Sequence, residues 1–73
     1  MKRSEFLDLC VKAALMKEKP RVVYDGIEYY PEGYEMRVDK SGKAIHTAIL
    51  RDCAKKNCLF YCPLAKVQEV RDE

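Results

Sequence analysis

Tryptophan is absent from this 73-residue chain, histidine occurs once, and glycine and proline occur three times each. No glycine-rich phosphate loop, nucleophile elbow or acid pair at diagnostic spacing is present, so no catalytic set announces itself. Excess charge is also scarce: 14 Lys and Arg stand against 12 Asp and Glu, a formal net charge of +2. That is too little for a sequence-independent grip on phosphate to be the first reading. Long apolar runs are missing as well, because Asp8, Lys12 and Lys17 interrupt the hydrophobic positions near the start. No membrane span, secretion signal or anchor is expected, which makes cytoplasm the default location.

What is present describes a folding domain. Hydrophobic residues make up 48% of the chain and charged residues 36%, enough apolar area to offset chain entropy. A chain this short buries only about 60% of its unfolded surface, so one modest core and a single domain over 1–73 are expected. Four cysteines, Cys10, Cys53, Cys58 and Cys62, would suit two disulfides in a secreted miniprotein, but without an export signal they read as reduced, mostly buried thiols.

Ser4 can cap a helix, Glu5 and Asp8 suit its positive end, and Phe6, Leu7, Cys10, Val11, Ala14 and Leu15 recur at helical spacing. Pro20 removes a donor and restricts Lys19, so the pattern predicts a helix over about 4–18 within an N-terminal unit 1–19. From residue 20 to 73 the period becomes two. Val22-Val23-Tyr24 and Ile27-Glu28-Tyr29-Tyr30 flank Asp25-Gly26, a two-residue hairpin signal. Pro31 and Gly33 predict a bulge or bend before Tyr34, Met36 and Val38 resume a buried face, opposed by Glu35, Arg37 and Asp39.

Asp39-Lys40-Ser41-Gly42 is the next expected turn, followed by strands at about 44–50 and 59–62. Both are apolar on both sides, which calls for two covers, and the helix is the element left to supply the second, with Ala44 and Ala48 as places of close approach. Pro63 to Val67 reads as a short turn into a last strand near 67–70. The expected fold is α+β: an N-terminal helix packed on a small antiparallel β-sheet or partly open barrel of four to five strands.

Cys53, Cys58, Cys62 and His46 are chemically suitable zinc ligands. Their spacing argues against a site, since Cys58 and Cys62 on one strand would lie about 13 Å apart at roughly 3.3 Å per residue. His46 with a nearby thiol is the other reactive combination, and a single histidine in an apolar strand is more often a packed residue. No metal, no cofactor and no enzymatic activity are expected.

Tyr24, Tyr29, Tyr30 and Tyr34 cluster around the hairpin and the Pro31 break, and Tyr29 and Tyr30, as strand neighbours, cannot both point inward. The same stretch is rich in carboxylates, which suggests an acidic, tyrosine-bearing surface of Glu28, Tyr30, Glu32, Glu35 and Arg37 that recognises a basic protein surface. Bases gather instead at Lys17, Lys19, Arg21, Lys55 and Lys56, the place for a nucleotide or nucleic acid if a polyanion binds.

The segments 22–31, Asp39-Lys40-Ser41-Gly42 and Pro63-Leu64-Ala65-Lys66-Val67 together resemble a Tudor-type or Src-homology-3-like small barrel over about fifty residues. The resemblance implies binding of peptides or nucleic acids through aromatic-lined loops, although no aromatic cage is evident here. The whole chain also resembles short proteins carried by phages and integrated elements of gram-positive bacteria, on segments such as Ile27-Glu28-Tyr29-Tyr30-Pro31 and His46-Thr47-Ala48-Ile49-Leu50. That likeness implies an accessory protein that occupies a host protein or sequesters a small signal. The expected role is thus a small binding module with a host-protein partner, the alternative being nucleotide or nucleic-acid binding, and a homo-oligomer is compatible with either.

Overall fold

A computed structural model of the chain describes residues 1–17, 20–55 and 57–70. One helix, α1 (Arg3–Leu15), precedes five strands: β1 (Val22–Tyr24), β2 (Ile27–Val38), β3 (Ala44–Asp52), β4 (Leu59–Pro63) and β5 (Gln68–Glu69). A 3-10 helix, Leu64–Lys66, joins the last two. The strands form one antiparallel sheet in the order β4-β3-β2-β1-β5, and it does not close into a barrel. The fold is α+β, as the period change after Pro20 predicts.

Local chemistry sets the turns. Asp25 and Gly26 both adopt positive φ, 53° and 76°, which matches the twist of the flanking strands and pairs Tyr24 with Ile27. Between β2 and β3 the Asp39 carboxylate accepts from the backbone N–H groups of Ser41 and Lys43 and from the Ser41 hydroxyl. Asp52 does the same work after β3, accepting from Ala54 and Lys55. These bonds hold both carboxyls below their usual range, led by the Ser41 side chain at Asp39 and by the Lys55 backbone at Asp52. Pro31 does not end the second strand: β2 runs twelve residues with a register shift between Pro31 and Gly33. The break read from the sequence is therefore a bulge within one strand.

The helix differs from expectation at both ends. Lys2, not Ser4, is the N-cap residue, and it makes no side-chain capping bond. Ser4 lies inside the first turn because the Met1 amino group is tied to the carbonyls of Leu64 and Val67, at 3.4 and 3.0 Å, and the chain enters the helix from there. The C-terminal end comes at Leu15, with Met16 already extended.

Alternation along the strands puts Val22, Tyr29, Pro31, Tyr34, Ala48, Leu50, Phe60 and Cys62 on one face, through the register partners Val22–Tyr29, Pro31–Leu50–Phe60 and Tyr34–Ala48–Cys62. This face holds the core, in which Phe6, Val22, Leu50 and Val67 are the largest fully buried side chains. Phe60 stays partly open and stacks on Tyr29, with ring centroids 5.6 Å apart.

Three expectations about burial are corrected. The helix turns Phe6 and Ala13 inward, with Leu9 and Cys10 half-buried, while Leu7, Val11, Ala14 and Leu15 are exposed. Leu9 and Ala13 are as apolar as the neighbouring stripe, and small Ala13 lets the helix approach the Pro31 bulge. Met36 and Val38, read as buried, are exposed with Ala44, because the buried cluster ends at the Tyr34–Ala48 rung. Finally, among the described residues the strands have one cover, and their second face is open.

Candidate functional site

The open face is built by the register of β2, β3 and β4. Across it run Arg51–Leu59, Gly33–Ile49–Tyr61, Glu35–Thr47–Pro63 and Arg37–Ile45. Ile45, Leu59 and Tyr61 are 47%, 46% and 56% exposed, and Ile49 is half-buried between them. Gly33 contributes flatness: a Cβ there would sit 3.6 Å from Ile49 Cδ1, so its absence leaves that isoleucine uncovered on the β2 side. The result is an apolar strip with a tyrosine at one margin, on rigid strands.

Charge borders the strip in neutralised pairs. Arg51 and Glu32 meet at 3.0 Å through two guanidinium nitrogens, Arg37 is paired with Glu35, and Arg21 is paired with Glu28 at 3.0 Å. The expected surface residues Glu28, Tyr30, Glu32, Glu35 and Arg37 thus all lie along β2, with Tyr30 half-buried, but each of the three glutamates faces an arginine. Their charge is directed inward to the pairs, which makes a polar rim and not an acidic field.

The expected basic patch is placed in part. Lys17 follows the helix, Arg21 is held by Glu28, and Lys55 sits in the loop after β3, bonded through its backbone to Asp52. Lys19 and Lys56 lie outside the described residues.

Among the described residues no group of three or more His, Cys, Asp and Glu side chains converges into a metal-binding cluster. His46 is exposed, stacks on Tyr34 with ring centroids 5.8 Å apart and shares a hydrogen bond with its hydroxyl through Nδ1. No helix is long and apolar enough to cross a membrane, among the residues described.

All four thiols are free, and they differ in surroundings. Burial pushes the Cys10 thiol up to about 11, with Glu32 adding to the effect, and burial also raises Cys62 and Cys53. Only Cys58 is exposed. A thiol-reactive disulfide reagent at neutral pH should therefore modify Cys58 first and Cys62 and Cys10 only after unfolding, which mass spectrometry of timed samples will read. Equal rates at all four would contradict this burial order. Since Cys10 ionises above the ordinary thiol value of 9.0, its contribution to stability is intact below that pH and is lost as pH rises toward about 11.

The open strip was the part of the surface that periodicity misassigned. Its signal was present, in strands apolar on both faces, but that pattern asks for a cover and does not say whether this chain or another molecule supplies it. No family model matches this chain, nor does any curated protein or solved structure.

Proposed function

We propose that this chain is a small non-enzymatic binding module that engages a protein through the open face of β2, β3 and β4. The observation that carries the reading is the strip Ile45–Ile49–Leu59–Tyr61, uncovered among the described residues and rimmed by the pairs Arg51–Glu32 and Arg37–Glu35. An apolar centre with an aromatic anchor and a polar, arginine-bearing rim is the anatomy of protein interfaces. A polyanion would find little purchase there, because the arginines are already paired.

The strand order and the 3-10 turn before β5 support kinship in shape with Tudor-type and Src-homology-3-like barrels, here open at one side. In the phage-protein reading the partner is a host protein. The module would act by occupancy, covering a surface of that partner with its own.

Binding of a partner recovered from the native cell tests the reading. Tyr61→Ala is expected to leave folding within about 0.5 kcal/mol, because the side chain is exposed, and to weaken the complex by about 2 kcal/mol, near thirtyfold. The affinity should change little between low and high salt, whereas phosphate recognition would fall steeply. A complex indifferent to Tyr61→Ala and Ile45→Ser but sensitive to salt would overturn the proposal.

A further inference from the structure

The ladder between β3 and β4 ends early. It covers Thr47 to Arg51, and after Pro63, opposite Thr47, the chain leaves the sheet and turns off into the 3-10 helix. Ala44, Ile45 and His46 remain paired with β2 on one side and, among the described residues, with no strand on the other.

The backbone groups at this edge have a defined direction. The Asp39 N–H donates to the Lys43 carbonyl, toward β2, and the Asp52 N–H donates to the Cys58 carbonyl, toward β4. Alternation from either end gives the same answer: Ala44 and His46 turn their N–H and C=O groups to the β4 side, where the sheet has stopped.

A groove of about 530 Å³ lies along this edge. Met1 and Arg3 wall it at the start of α1, and Pro63, Leu64 and Ala65 wall it opposite, fastened together by the Met1 amino group on the Leu64 carbonyl. Lys43 lines it from just before β3 and His46 from β3 itself, and among the described residues no carboxylate lines it. Free strand edge, apolar wall and positive charge thus meet in one slot.

We propose that this groove takes an acidic, extended segment of a protein, added to the sheet beside Ala44–His46. This rests on the protein-binding reading and deepens it by naming a class of partner, and of the open-strip residues it shares Ile45 alone. Main-chain pairing with Ala44 and His46 supplies register, alternate side chains of the segment meet Pro63 and Leu64, and its carboxylates meet Arg3 and Lys43. A nucleic-acid strand fits less well, since phosphates offer acceptors alone and leave the Ala44 and His46 carbonyls without donors.

The test is amide chemical-shift mapping on the full chain with three probes: an acetylated, amidated hexapeptide alternating glutamate and valine, its lysine and valine counterpart, and a hexathymidylate. The acidic peptide is expected to shift the amides of residues 43–47 and to slow exchange at Ala44 and His46. Arg3→Glu combined with Lys43→Glu should weaken it about tenfold, leave the melting curve nearly unchanged and admit the lysine peptide instead. Tyr61→Ala should leave peptide binding intact, so failure here and failure of the open-strip reading are told apart. No shift at millimolar peptide, equal binding of the lysine peptide to the unaltered chain, or hexathymidylate binding at the same amides would each overturn the proposal.

Discussion

Removal of residues 1–17 is expected to leave a chain that no longer melts cooperatively. The truncation takes away Phe6, which is fully buried, together with Ala13 and the half-buried Leu9, Cys10 and Met1 that pack against the core. It also removes the amino group that ties the chain start to Leu64 and Val67. What stays behind exposes Val22, Ala48, Leu50 and Cys62, all on one sheet face. Burial of each large side chain contributes about 1.5 to 3 kcal/mol, and a small domain holds about 5 to 15 kcal/mol in all, so most of the stability should disappear. Circular dichroism melts and sedimentation of the truncated chain read the result. A soluble fragment with a sharp transition near the intact midpoint would make α1 a detachable arm whose exposed Leu7, Val11 and Leu15 await a partner.

Phe6→Ala is expected to cost about 3 to 5 kcal/mol, the range for emptying a buried aromatic site. Val11→Ala, five residues along the same helix, should change stability by no more than about 0.5 kcal/mol, because Val11 is 56% exposed. Urea unfolding of the two variants measures which face of the helix carries the core. If Val11→Ala were the costlier change, the helix would have to be rotated from the orientation described, toward the arc of Leu7, Val11 and Ala14.

That pair of variants marks where local patterns stop being sufficient. The helix, the Asp25-Gly26 hairpin, the bulge at Pro31 and the turn at Asp39 were legible because each depends on nearby chemistry: 3.6-residue spacing, positive φ, a missing N–H, a carboxylate beside backbone donors. Helix rotation was not legible, since Phe6-Leu9-Cys10-Ala13 and Leu7-Val11-Ala14-Leu15 are both apolar arcs and spacing ranks neither above the other. Ser4 has the chemistry of a cap, yet the contact between Met1 and residues sixty-three or more positions away starts the helix before it.

The candidate site divides in the same way. Alternation groups Glu28 with Tyr30 and Glu35 with Arg37, but only the register shift between Pro31 and Gly33 brings the two pairs to one face of β2, and Arg21 and Arg51, which neutralise Glu28 and Glu32, are brought in by strand pairing. The free edge at Ala44–His46 is likewise a product of register, because it exists only where β4 ends at Pro63 while β3 continues.

By itself, then, the sequence determined the α+β class, the element order and the turns, all of which are decided within a few residues of backbone chemistry. Tertiary structure alone decided which helix arc is buried, which sheet face is covered and where a strand edge is left open. Those outcomes depend on how one short helix sits on a five-stranded sheet, and among the described residues the 13-residue α1 buries its Phe6 in the core of one face.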